Sequence, residues 1–242
     1  METLNEKRIA ALLALPDVRV EAYEELNSTF DACRRILSEG ASECLVLAEK
    51  QTGGRGQQGR AFFSPPGGLY LCVGMPAVQD ELSLTCRAGV VTAEAIERVT
   101  GIECGIKWVN DLYCRGKKVC GILAVTSGAH VIVGIGVNLV PSPLPPELAD
   151  IVGFLDCGDV REALAAEIGR GLLRRTSSDG QVLAEYRRRS VVLGKTVKCI
   201  VGDREFPAEA LEIDDAGALV VRTASGALKT LRWGEVSIRG EF

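Results

Sequence analysis

The chain has 242 residues, 47% hydrophobic and 25% charged, an ordinary balance for a globular protein that buries a core as one medium domain or as a larger domain with a small one. Lys and Arg number 28 against 32 Asp and Glu, a formal net charge of −4, so general electrostatic attraction to nucleic acid is not expected. The single histidine, His130, excludes multi-histidine metal sites; with no bilayer-length apolar run and no stretch resembling a signal peptide, no membrane partner and a cytoplasmic location are expected.

In chain order, residues 2–15 read as a helix stopped by Pro16, and residues 19–23 as a strand. Ser28 is placed to cap a helix over 29–39 that Gly40 closes. Residues 44–49 form a short apolar strand, and the glycine-rich stretch QTGGRGQQGRAFFSPPGG follows. Residues 69–75 read as a strand, 82–99 carry helical periodicity up to Gly101, and 102–108 return to a strand pattern. Residues 112–114, a turn at Arg115-Gly116 and residues 118–126 suggest a hairpin. Residues 130–137 are strongly β-rich, the four prolines of 141–146 mark a loop, and 160–173 and 181–189 read as helices. Composition changes near Leu193. Short strands over 195–201, 208–213, 218–223, 227–231 and 236–239, separated by turns rich in Gly and Asp, predict a small all-β barrel of about 50 residues. The nine cysteines include no C-x-x-C pair and sit mostly in apolar settings such as Leu71-Cys72-Val73, so they read as reduced core residues. His130 reads as a turn histidine at a strand start.

Gly54-Arg55-Gly56-Gln57-Gln58-Gly59 fits G-x-G-x-x-G, but a dinucleotide fingerprint needs a helix opening at the third glycine. Here Ser64-Pro65-Pro66-Gly67-Gly68 follows closely, which no helix traverses. Gly194-Lys195-Thr196 has the tail of a P-loop, yet Arg189 stands at the upstream glycine position. What remains is a glycine loop with Arg55 and Arg60. Its exposed N–H groups and fixed cations suit an anion, with a solvated basic loop as the plain alternative.

Two further segments narrow the reading: Lys107-Trp108-Val109-Asn110-Asp111 with Gly116-Lys117-Lys118-Val119-Cys120-Gly121-Ile122-Leu123, and Val133-Gly134-Ile135-Gly136-Val137-Asn138. Together with Asn27-Ser28-Thr29, the glycine loop and the C-terminal stretch from Trp233 to Arg239, these make the chain resemble the biotin protein ligase family over nearly its whole length. The resemblance implies an α+β fold. A mixed β-sheet flanked by helices, the class II synthetase-like biotin/lipoate ligase catalytic domain, would span 1–190, and an SH3-like β-barrel 191–242. It also implies a two-step reaction with biotin and ATP as substrates and Mg²⁺. Biotin attacks the α-phosphate, giving biotinyl-5′-AMP and pyrophosphate, and the biotinyl group then passes to a lysine of a biotin carboxyl carrier domain of a biotin-dependent carboxylase.

The residue roles implied by the resemblance follow from that chemistry. Arg55, Lys107 and Lys118 would offset the repulsion between two anions and stabilise the pentavalent phosphorus, with Asn110 and Asp111 beside them. Asp111 would be a Mg²⁺ ligand or would orient the acceptor lysine. Ser28, Thr29, Gln51, Gly54, Arg55, Gly56, Gln57, Lys118 and Gly121 match the biotin side, and Arg55, Arg60, Phe62, Lys107, Asn110 and Asn138 the nucleotide side. Plainer readings stand beside these: Ser28 as a helix cap, Lys107 and Lys118 as exposed strand lysines, Trp108 as core, Asn138 as a strand end. Glu235 and Arg239 would either reach the nucleotide from the barrel or form a surface ion pair. Phe30, Gln57, Phe62, Val109 and Val125 stand where the family often has Asn, Arg, Trp, Pro and Glu. The short stretch before Ser28 leaves no room for the DNA-binding domain of some relatives, so no nucleic-acid partner is expected, while an exposed sheet edge leaves a homodimer open. The rival readings are a lipoate or octanoate ligase, which lacks support because an R-R-x-S-G-G-G segment is absent, and a protein that binds biotin without turnover.

Overall fold

The computed structural model describes residues 2–77, 80–175 and 177–238; of Glu81 and Ile238 only the backbone is described. Helix α1 (Glu6–Leu13) begins later than residue 2 because Asn5 caps it, its side chain accepting from Arg8 N at 3.1 Å. Strand β1 (Arg19–Leu26) leads to α2 (Thr29–Ser38), whose N-cap is Ser28. Then come β2 (Cys44–Gln51), β3 (Leu69–Pro76), α3 (Glu81–Thr100), β4 (Gly105–Lys107), β5 (Asp111–Cys114), β6 (Lys117–Ser127), β7 (His130–Val137), α4 (Arg161–Arg174) and α5 (Asp179–Arg189). The strand expected over 102–108 is therefore only three residues long. Ile102 accompanies the helix end instead, its N–H donating to Thr100 Oγ1 at 3.1 Å.

The strands form a seven-stranded sheet in the order β1-β2-β3-β7-β6-β5-β4, with β1 parallel to β2 and every other pair antiparallel. Period-2 alternation explains why both faces matter. On β2 and β3, Leu45, Leu47, Leu69, Leu71 and Val73 face the main core with α1, α3 and α4, whereas Cys44, Val46 and Cys72 face α2 with Phe30, Cys33, Ile36 and Leu37. On β7, Val131, Val133, Ile135 and Val137 continue the first set, so Gly134 and Gly136 fall on the second face beyond α2. Gly121 falls there too, between the core residues Cys120 and Ile122 of β6. Glycine at all three positions leaves that stretch of sheet bare.

The C-terminal part is a separate five-stranded antiparallel sheet of the SH3-like kind: β8 (Thr196–Val201), β9 (Arg204–Ile213), β10 (Leu219–Thr223), β11 (Leu228–Leu231) and β12 (Glu235–Ile238), in the order β11-β10-β9-β8-β12. Several hydrogen bonds fasten it or its approach to the larger part. Trp108 Nε1 donates to Gly217 O at 3.0 Å, Arg187 Nε to Ile213 O at 2.7 Å, and Tyr186 Oη to Val109 O at 2.8 Å.

Candidate active site

A cavity of about 300 Å³ lies on the bare stretch of sheet. Its floor shows why glycine is required. A Cβ on Gly134 would stand 2.4 Å from Phe30 Cε2, one on Gly136 2.3 Å from Phe62 Cε1, and one on Gly121 2.9 Å from Phe62 Cε2. The two phenylalanine rings therefore lie directly on backbone. Of the described residues singled out from sequence for the site, only Ser28 and Gly54 do not line this cavity. Ser28 caps α2, accepting from Phe30 N at 3.3 Å. Gly54 forms the neck of the glycine loop, where a Cβ would meet Phe62 O at 2.4 Å and Ser64 Oγ at 2.6 Å.

One end of the cavity is cationic. The register Lys107↔Asp111↔Gly121 across β4, β5 and β6 brings together residues that the sequence separates. Lys118 Nζ lies 2.6 Å from Asp111 Oδ1, and Lys107 Nζ 4.0 Å from Asp111 Oδ2. Lys107 is 9% exposed, which overturns the exposed-strand reading, and its Nζ stands 5.4 Å over the Tyr113 ring centroid and 3.4 Å from the Tyr113 hydroxyl. Burial, with the Asp111 carboxylate adding to it, pushes the Tyr113 pKa up to about 12, so the hydroxyl keeps its proton at neutral pH. Asn110 commits Nδ2 to the Ile122 carbonyl at 2.7 Å. Two ammonium groups around one carboxylate leave net positive charge in a half-buried place, which suits a phosphate or carboxylate ligand.

The opposite end is polar and uncharged, with Thr29 and Gln51 joined by hydrogen bonds of 2.8 and 3.0 Å. The glycine loop covers the space between. Its turn over Gln57–Gly59 places Gln58 at φ 55, and both loop arginines end on carboxylates: Arg55 on Asp31 of α2 at 2.6 Å and Arg60 on Glu235 of β12 at 2.7 Å. Glu235 lines the cavity and makes an ion pair at once, so its two sequence readings are not exclusive. Burial opposes its charge, but the Arg60 hydrogen bond and the charges of Arg60, Lys107 and Lys118 outweigh that and hold its pKa below the ordinary value. Arg239 lies outside the described residues.

Sequence reasoning missed Asp31 and Tyr113. An acidic residue in a helix's first turn reads as a complement to the helix dipole, which conceals a second partner. Tyr113 sits beside the K-W-V-N-D segment, and in the sequence it reads only as part of the 112–114 arm of a hairpin. His130 opens β7 and does not line the cavity. A resident metal does not fit: Asp111 already faces two ammonium groups, and the described residues hold no cluster of three or more His, Cys, Asp or Glu able to bind one. All nine cysteines are unpaired, and seven of them are buried. No helix among the described residues is long and apolar enough to cross a membrane.

Comparison with known proteins gives a consistent picture. The profile described as "Biotin/lipoate A/B protein ligase family" matches residues 25–138, and that described as "Biotin protein ligase C terminal domain" matches residues 192–239. The chain is 30% identical to the "Bifunctional ligase/repressor BirA" of Escherichia coli (strain K12), covering 99% of this chain and 79% of the relative. It is 29% identical to the "Biotin--[acetyl-CoA-carboxylase] ligase" of Mycobacterium tuberculosis, covering 72% and 71%. Among solved structures, the Aquifex aeolicus biotin protein ligase in complex with biotin and ATP matches with a TM-score of 0.76 at 28% identity, over 91% of this chain and 98% of that one. The Leishmania major biotin protein ligase in complex with biotinyl-5-AMP matches with a TM-score of 0.65 at 26% identity, over 88% and 98%.

Proposed function

This chain belongs to the biotin protein ligase family, within the biotin/lipoate A/B protein ligases, as an ATP-dependent ligase of biotin, and we propose that the cavity described above carries out both steps of its reaction. The observation that carries this reading is the cation pair Lys107 and Lys118 around Asp111, facing Thr29 and Gln51 across a glycine floor. The uncharged end takes the ureido ring, whose polar atoms need partners once buried. The cationic end takes the carboxylate and the α-phosphate. One carboxylate oxygen attacks phosphorus, the bond to pyrophosphate breaks, and Lys107 and Lys118 stabilise the added charge. Mg²⁺ arrives with the triphosphate as part of the substrate. Arg55, Gly56 and Gln57 cover the intermediate and exclude water, while Arg60, Phe62, Asn110 and Asn138 hold the nucleotide.

In the second step the carrier lysine's amine attacks the acyl carbon and AMP leaves. Free lysine has a pKa of about 10.4, so the amine needs a proton acceptor, and Asp111 is the carboxylate at hand. Protonated Tyr113 beside Lys107 acts as a donor. Residues 1–190 supply this cavity and 191–242 close it with Glu235. The partners are the small substrates and the biotin carboxyl carrier domain of a biotin-dependent carboxylase, in the cytoplasm, where nine free thiols persist. A net charge of −4 supports leaving the repressor half of the relatives' names aside.

The test is pyrophosphate release with ATP and Mg²⁺ in the presence of biotin, lipoate or octanoate, with and without a carrier domain. Release with biotin alone and biotin stably bound to the carrier lysine are expected. Release with lipoate or octanoate instead would reassign the substrate, and biotin binding without release would reduce the chain to a binding protein.

A further inference from the structure

Gln51 stands on the cavity wall with both ends of its amide engaged. Its Oε1 accepts from the Thr29 backbone N–H at 2.8 Å and from Thr29 Oγ1 at 3.0 Å, which fills both lone pairs. Its Nε2 donates one hydrogen to Ser64 Oγ at 3.0 Å, and Ser64 donates its own to the Phe62 carbonyl at 2.9 Å. Behind Thr29, the Cys72 thiol donates to Thr29 Oγ1 at 3.1 Å. The five residues form one line of hydrogen bonds, from the β3 strand under α2 to the neck of the glycine loop.

Each link fixes the direction of the next. Cys72 is fully buried, and burial pushes its thiol pKa far above the ordinary range, so it remains S–H and a donor. Thr29 has one hydroxyl hydrogen. Because it receives from Cys72, that hydrogen goes to Gln51 Oε1, which leaves Gln51 only its amide nitrogen for Ser64 and the cavity. Ser64, 4% exposed, completes the line, and its backbone carbonyl also accepts from Gln51 N at 3.2 Å. A line anchored on the buried Cys72, Thr29 and Ser64, with each donor already committed, does not readily invert.

We propose that Cys72 and Ser64 are positioning residues for the ligand: they lock the Gln51 amide so that its remaining N–H, and not its carbonyl, meets the ligand, which must offer a hydrogen-bond acceptor there, as the carbonyl oxygen of a ureido ring does. The inference rests on the reading of the cavity as a biotin site. Because Ser64 also holds the Phe62 carbonyl at the loop neck, the same line ties the ligand end of the cavity to the position of the loop.

The test uses the full chain and four variants: Cys72→Ser, which keeps a donor; Cys72→Val, which removes it; Ser64→Ala; and Gln51→Glu, which keeps the acceptors facing Thr29 and removes the N–H. Biotin Kd is measured by calorimetry, and KM and kcat by pyrophosphate release. Cys72→Val and Ser64→Ala are expected to raise biotin Kd and KM by about three- to tenfold, the size of one neutral hydrogen bond, and in Cys72→Val, which does not touch the loop, kcat and the KM for ATP should stay within about twofold of the parent. Cys72→Ser should stay within about twofold of the parent, and Gln51→Glu should lose more than either deletion. The proposal is overturned by an unchanged biotin KM in Ser64→Ala, by Cys72→Ser losing as much as Cys72→Val, by a parallel rise in the KM for ATP in Cys72→Val, or by Gln51→Glu binding biotin as well as the parent. Failure of the biotin reading looks different, because the parent chain itself then shows no response to biotin. The Gln51 side-chain amide protons, followed by NMR in Ser64→Ala, still report whether the line exists.

Discussion

Gln57 lines the cavity at a loop position where the family resemblance implies an arginine in many members, so in the proposed reaction the loop would cover the intermediate with one fewer fixed cation. Biotinyl-AMP carries a phosphate anion, and a guanidinium near it is worth most where water is excluded. Gln57→Arg should therefore slow dissociation of biotinyl-AMP by about three- to tenfold, one charge-assisted hydrogen bond's worth, as followed by release of labelled intermediate. Equal rates in the two proteins would remove Gln57 from the account. At the other end, Lys107 is nearly buried and reaches the Asp111 carboxylate and the Tyr113 ring, so its loss removes a cation that no other side chain replaces in place. Lys107→Ala should lower kcat for pyrophosphate release by about a hundred- to a thousandfold, the range for removing a preorganised electrostatic partner of a transition state. A smaller effect on kcat than on the KM for ATP would make Lys107 a binding residue only.

At the scale of elements, what was legible in the sequence is what depends on periodicity. The runs over β2, β3 and β7 alternate on one face with main-core aliphatics, and α2 carries a cap that reads directly as Ser28, whereas Asp80 emerges as the cap of α3 only in the structure. The glycine loop was not legible beyond its composition, because its turn hinges on a left-handed Gln58, which no pattern announces. Nor was the pairing of Arg55 with Asp31 or of Arg60 with Glu235, since such contacts come from the arrangement of elements and not from spacing along the chain. The motif residues Lys107, Asp111 and Lys118 were named from sequence, but their convergence needed the β4-β5-β6 register and the bulge between Leu112 and Tyr113.

Helix α5 carries its own prediction. Glu185 accepts from Arg188 and Arg189, each at 2.7 Å, and Arg189, buried at the helix end, also pairs with Glu97 of α3. The Arg188 hydrogen bond, followed by that of Arg189 and the charges of both, overcomes the opposing effect of burial and holds the Glu185 pKa down to about 2. A depressed carboxylate stabilises the fold above its ordinary pKa, and that contribution is lost as pH falls through the folded value, here between the ordinary 4.5 and about 2. After allowance for solvent screening, Glu185→Gln should cost about 1–2 kcal/mol in urea unfolding at pH 7, and less as the pH approaches 2. A cost independent of pH would place the effect in packing and not in charge.

For the whole molecule, the question is why a small β-sheet must accompany the catalytic part. Val197, Cys199, Leu219, Val221 and Val236 belong to the same continuous core as the seven-stranded sheet, and Trp108 donates across to Gly217 from the middle of the K-W-V-N-D segment. These contacts fasten the C-terminal sheet. The Arg60–Glu235 pair lies at the cavity itself and joins the loop that covers it to the sheet that borders it. Its free energy is small: the Arg60 side chain is 56% exposed and that of Glu235 35%, and exposed pairs contribute about 0.2–1 kcal/mol. That suffices for a latch in the proposed reaction, in which the loop would also open to release AMP and admit the carrier lysine. Arg60→Gln and Glu235→Gln should each speed the escape of biotinyl-AMP about two- to fivefold, and the double variant should do no more than either single one, a coupling within the range for such pairs. Because the Glu235 pKa is depressed, the parent's advantage should hold at pH 7 and fade as the pH falls below 4.5, while the variants stay flat. Additive effects in the double variant would mean that the two residues act on the nucleotide separately, and the C-terminal sheet would then support the site through Trp108 and the shared core alone.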